Sequence, residues 1–217
     1  MAEEQGMSLE QLEFLKKMKG IAADLWGGSP AAEPESIPGK DPDVLPEART
    51  RAPGVKNLWK TADETIDWTD ALAHETPTDG LTGPRLWSFY HKHAEKVLAG
   101  DLEAYTEVLK MANPLGELTD YAENINMRAV SADRLESCFV CKDELMGKDR
   151  KLYLAAMGLR IARDLLATLP VSEVCVKAEH EGKTVFEADY RRLALLHRNF
   201  SFLDPVAFSK ECGADFT

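Results

Sequence analysis

The chain has 217 residues, a formal net charge of −11 and a pI near 5.0, with 44% hydrophobic and 29% charged residues. That balance is ordinary for a globular protein and too acidic for non-specific binding to nucleic acid or to an anionic membrane, both of which need a basic footprint. No apolar run reaches the roughly 20 residues that span a bilayer, and acidic residues stand where a secretory leader has basic ones, so a cytoplasmic protein is expected. The four cysteines, Cys138, Cys141, Cys175 and Cys212, are too few for a disulfide scaffold in a chain of this size and read as reduced thiols.

Residues 8–26, SLEQLEFLKKMKGIAADLW, predict an amphipathic helix. Ser8 and Gln11 form a capping box, and Leu12, Leu15, Met18, Ala22 and Leu25 recur at helical spacing until Gly27-Gly28 ends it. Its apolar stripe, extended by Trp26, needs a cover: its own domain, a second copy or a partner. The next segment carries a proline at every fourth place, Pro30, Pro34, Pro38, Pro42 and Pro46. No helix interior tolerates that pattern. A polyproline II helix has three residues per turn, so these prolines do not line one face as a groove ligand requires. The segment reads as a stiffened tether, spanning about 50 Å from Pro30 to Pro46 at ~3.1 Å per residue. The predicted organisation is a helix in 1–28, a proline-rich linker in 29–57 and a folded domain in 58–217.

From Thr61 the pattern turns helical, with Thr61 and Glu64 as a capping box for a helix to about His74. Gly83-Pro84 opens a second helix to about Ala99, and Asp101 caps a third that Asn113-Pro114 ends. The period then becomes two. In 124–142, Ile125, Met127 and Ala129 must share a face with Leu135, Phe139 and Cys141. An odd loop at Ser131-Ala132-Asp133 achieves this, pairing Ile125 with Phe139, Ala129 with Leu135 and Arg128 with Glu136. Residues 149–169 predict a helix apolar around most of its circumference, hence buried on two sides, with Arg160, Arg163 and Asp164 as polar exceptions and Gly158 marking a close neighbour. A second hairpin follows in 172–192, with an odd loop at His180-Glu181-Gly182 that sets Glu179 beside Lys183. Asp204-Pro205 starts a last short helix. The order α-α-ββ-α-ββ-α predicts an α+β domain with an antiparallel sheet on a central helix.

The run LRIARDLLATLPVSEVCVKA followed by FEADYRRLALLHRNFSFLDP resembles the C-terminal part of a widespread family of uncharacterised bacterial proteins. There a helix leads through LLP into one strand, a second strand and a DP-initiated segment. The resemblance spans about residues 95–210 and implies no activity, cofactor or catalytic residue.

Few residues carry chemistry on their own pattern. Cys138-Phe139-Val140-Cys141 has CxxC spacing, but inside a strand its two thiols point to opposite faces. His91 and His93, two apart on a helix, do not share a face. Asp63, Asp67, Asp70 and His74 would form one stripe of a continuous helix and are the candidate metal ligands, against the plainer reading of a solvated acidic face. Glu173, Lys177, Glu187 and Asp189 share a face of the second hairpin in a manner reminiscent of metal-dependent nucleases, without their acidic-x-lysine signature. No phosphate-binding glycine loop, serine-hydrolase elbow or zinc-protease motif is present. The expected function is a non-enzymatic interaction protein without cofactor. It would dock a protein partner or a second copy through Leu12, Leu15, Met18, Leu25 and Trp26, and contact neither nucleic acid nor membrane. The alternatives are a divalent-metal-dependent hydrolase or degenerate nuclease with a non-standard acidic site, and an acidic decoy for a nucleic-acid-binding protein.

Overall fold

A computed structural model describes residues 55–78, 82–196 and 198–217. The predicted helix 8–26 and the five prolines lie outside the described residues. The described residues start with a 3-10 turn, Val55–Lys60, whose Leu58 and Trp59 are buried. Residues 55–57, the end of the expected linker, lie in this turn.

An extended strap, residues 61–67, leads to helix α1 (Trp68–Ala73). The helix expected from Thr61 to His74 is thus shorter, and the capping role moves to Asp67, whose carboxylate accepts from Thr69 N and Asp70 N. The reason is tertiary. Asp63 N donates to the Asp164 carboxylate at 2.8 Å and Ile66 N donates to the Ala167 carbonyl at 3.0 Å, so these amides are engaged across the core and not along a helix. Helix α2 (Pro84–Leu98) and helix α3 (Leu102–Ala112) follow as expected, the latter capped by Asp101 and ended by Asn113 at φ 44°.

Strands β1 (Ala122–Ser131) and β2 (Arg134–Cys141) pair antiparallel with Ile125 opposite Phe139, Ala129 opposite Leu135 and Arg128 opposite Glu136. The parity is met by a two-residue Ala132-Asp133 turn and a register shift between Ala129 and Ser131, not by a three-residue loop. Helix α4 (Arg150–Thr168) then returns the chain to β3 (Glu173–His180). Its 19 residues rise about 28 Å at 1.5 Å each, close to the length of an eight-residue strand at about 3.3 Å each, so β3 starts beside the start of β2. The two strands are consequently parallel, Leu135 facing Val174 and Phe139 facing Ala178. The sheet is mixed, where hairpin pairing alone predicts an antiparallel one.

Strand β4 (Lys183–Arg191) closes the second hairpin. Its turn residues Glu181 (φ 50°) and Gly182 (φ 72°) both occupy the left-handed region, the signature of a two-residue type I′ turn. A shift after Ala178 places Glu179 opposite Thr184 and His180 opposite Lys183, correcting the expected Glu179–Lys183 pair. A four-residue helix α5 (Arg192–Leu195), helix α6 (Pro205–Glu211) capped by Asp204, and a short β5 (Asp215–Phe216) complete an α+β fold with strand order β1-β2-β3-β4-β5.

Helix α4 is buried at every residue from Tyr153 to Thr168. One side packs on β3 and β4; the 3-10 turn, α6 and α3 cover the others. Gly158 faces the sheet so closely that a Cβ there would sit 2.7 Å from a Phe186 ring carbon and 2.9 Å from the Tyr190 hydroxyl. We expect Gly158→Ala to destabilise the fold by about 1–3 kcal/mol through overpacking, despite alanine's better helix propensity. Urea denaturation of the two proteins measures this; equal or greater stability in the variant contradicts the packing described.

Candidate functional site: the open face of the sheet and a buried charged seam

Alternation along β2, β3 and β4 sends Leu135, Phe139, Val174, Val176, Phe186, Ala188 and Tyr190 toward α4, and all are buried. The opposite face carries the nuclease-like residues, as period two requires. There the carboxylates are held by cations. Lys177 Nζ stands 3.0 Å from Glu187 Oε1, Arg134 Nη2 donates to Asp189 at 2.9 Å, and Glu173 accepts from both Arg134 and, at 3.2 Å, Arg191. On the next ladder Arg128 Nε donates to Glu136 at 3.0 Å, and this hydrogen bond holds the Glu136 carboxyl below its ordinary range. Lys177 is raised, first by its hydrogen bond to Glu187. The result is a cross-strand lattice of alternating charge, of the kind that exposed sheet faces support.

Two thiols sit within this lattice. Cys138 is partly exposed beside Glu179, while Cys175 is buried, with Glu187 Oε1 at 3.8 Å from its sulfur. Cys141 points the other way into the core, so the CxxC thiols are separated by the sheet as predicted. Burial pushes Cys138 up, Cys141 and Cys212 up to about 11, and Cys175 up to about 12. These are environments that disfavour thiolate. A disulfide-exchange reagent near neutral pH is expected to label the native protein at least about tenfold more slowly than the urea-unfolded protein; equal rates contradict the burial described.

The 63/67/70/74 stripe does not assemble. Asp63 lies on the extended strap with Oδ1 3.8 Å from Arg160 Nη2, and Asp67 caps α1. Only Asp70 and His74 stay together, 2.9 Å apart, and Asp70 also accepts from the Thr78 hydroxyl. The stripe needed a continuous helix from Thr61, and the strap removes its first turns. Among the described residues no group of three or more His, Cys, Asp or Glu side chains is placed to hold a metal ion. The two histidines of α2 part company as expected: His91 Nδ1 is 2.8 Å from the Ala71 carbonyl, and His93 bridges Phe89 O and Glu107. Trp59, Trp68 and Trp87 are all core residues. The docking residues Leu12, Leu15, Met18, Leu25 and Trp26 lie outside the described residues.

A second cluster was only half visible in the sequence. Arg160, Arg163 and Asp164 share the face of α4 that meets the strap, and all three are buried. Arg160 Nε donates to Asp164 Oδ2 at 2.6 Å and its Nη1 donates to the Thr61 hydroxyl at 2.6 Å. Its Nη2 lies 3.6 Å from Glu117. Arg163 Nη1 donates to the Trp59 carbonyl, and its guanidinium stacks 3.8 Å over the Phe200 ring. Burial lowers Arg163 to about 10. The available signal was three charges spaced i, i+3, i+4 in a largely apolar helix; their partners Thr61 and Trp59, 99 and 104 residues distant, left none.

Burial pushes the Asp164 carboxyl up to about 7, against the pull of Arg160. Since this lies above its ordinary 3.8, folding takes up a proton, and the associated stability is complete below about pH 4 and lost as pH rises through about 7. Relative to Asp164→Asn, wild-type stability is expected to fall between about pH 4 and about pH 7. Urea midpoints across that range test the sign, and a difference that grows with pH refutes it.

No protein-family model, curated protein or solved structure matches the chain.

Proposed function

We propose that the chain is a non-enzymatic interaction protein in which the amphipathic helix of residues 8–26, on its proline-stiffened tether, docks a protein partner or a second copy, with the α+β body as its base. The observation that supports this reading over the hydrolase alternative is the state of the acidic residues. Glu173, Glu187 and Asp189 each face a cation, while Asp67 serves as a helix cap. A divalent-metal site needs carboxylates that converge on an ion and not on guanidinium and ammonium groups. No helix among the described residues is long and apolar enough to cross a membrane.

The test is capture from native lysate by the full chain and by its Leu12→Asp/Leu15→Asp variant, in low salt and in about 1 M salt, where the Debye length is about 3 Å. We expect a captured protein that withstands salt and disappears with the variant. Capture abolished by salt and unaffected by the variant supports the acidic-decoy reading instead. Saturable binding of manganese by calorimetry, lost on Glu187→Gln/Asp189→Asn, returns the metal-dependent hydrolase.

A further inference from the structure

Among the described residues, strand β1 has a neighbour on one side only. Its other edge is ten residues long, AENINMRAVS, without proline or lysine. Among the described residues no backbone hydrogen bond from outside the sheet reaches Glu123–Val130. Proteins ordinarily shield such an edge with lysine, proline, an inward charge or a covering segment, because it is a template for another strand. Bulges at both ends of β1 leave a regular stretch from Asn124 to Ala129 between them.

Burial also stops abruptly there. Leu135, Ser137 and Phe139 of β2 are buried, whereas Ile125, Met127 and Ala129, directly across from them, are only half-buried. Of the large hydrophobic residues left exposed, Val130 (43%) lies on β1 itself, while Leu102 and Met111 lie toward the two ends of α3 and Leu193 and Phe202 lie elsewhere. The strand edge thus presents unpaired backbone beside the half-buried side chains Ile125, Met127 and Ala129.

The occupant follows from what the rest of the chain offers. Residues 8–26 have helical and not alternating periodicity, so they offer no strand to this edge. The edge suits its own copy: it carries one Glu and one Arg, so it is neutral within a chain of net charge −11. In an antiparallel pairing centred on Met127, Ile125 meets Ala129, Asn126 meets Arg128 and Glu123 meets Ser131, with no like charges opposed. We propose that two copies of this chain join β1 to β1 about a two-fold axis, making one continuous ten-stranded sheet with the two α3 helices flanking the seam on its covered face. The interface is isologous and independent of the tethered helix.

Light scattering after gel filtration reads the mass of three full-length proteins at micromolar and near-millimolar concentration: wild type, Met127→Lys and Leu12→Asp/Leu15→Asp. Lysine at 127 is an inward charge on the edge, which a half-buried site tolerates and a strand partner does not. The expected result is doubled mass for wild type and the Leu12/Leu15 variant, and single-chain mass for Met127→Lys. A wild type of single mass throughout overturns the proposal. So does a dimer that survives Met127→Lys and is lost with Leu12→Asp/Leu15→Asp, which assigns self-association to the helix. Should Met127→Lys misfold, amide exchange of the wild type decides: slowing at 123–130 with rising concentration supports the shared sheet, and unchanged exchange there overturns it.

Discussion

A helix enclosed on all sides must find donors for its last carbonyls inside the protein, and in this molecule that demand organises the chain. At the C-terminal end of α4, Leu166 O and Leu169 O accept from the Arg192 guanidinium, Ala167 O accepts from Ile66 N, and Thr168 O accepts from the Trp68 indole. Arg192 also donates to Val171 O, and its burial lowers it to about 10. Each terminal carbonyl left bare in that place costs on the order of 1–3 kcal/mol. One helix end therefore fixes the path of the strap before α1, the turn into β3 and the exit from β4, segments separated by more than a hundred residues. No side-chain cap at the helix itself could do so, since water is excluded from it.

What the sequence made legible was what is decided locally. Asp101 and Asp204 cap the helices they were read to cap, because a short acidic side chain bonds amides two or three residues ahead wherever it stands. The pairs Ile125–Phe139 and Arg128–Glu136 followed from period two and the demand that apolar residues share a face. Failures came where a distant partner overrode the local choice. Thr61 and Glu64 have capping-box spacing, yet Asp63 N and Ile66 N are claimed by Asp164 and Ala167. The parallel join of β2 to β3 depends on how far α4 carries the chain, which hairpin parity does not encode. Arg192, one of two adjacent arginines at the end of β4, gave no sign that it would cap a helix more than twenty residues earlier.

The same divide governs the site. That Glu187 and Asp189 share the open face was readable from their spacing; that Lys177 and Arg134 neutralise them depends on the register of three strands. Paired charges make the face a flat, hydrated surface in which attraction between neighbours is already satisfied. Two guanidinium groups and a carboxylate on the far side of α4 serve a different end, fastening a strap whose backbone bonds to the helix are few.

That fastening shapes the way the domain comes apart. Where α4 meets the sheet, separation bares Phe186, Tyr190 and their neighbours, and water gains nothing from meeting them. Where it meets the strap, the surfaces parted include Arg160, Arg163, Asp164 and Thr61, groups that water hydrates well. Opening on that side recovers solvation that burial had cost, whereas opening on the sheet side recovers none. The two sides of α4 therefore differ in what parting them would expose: apolar rings toward the sheet, hydratable groups toward residues 61–67.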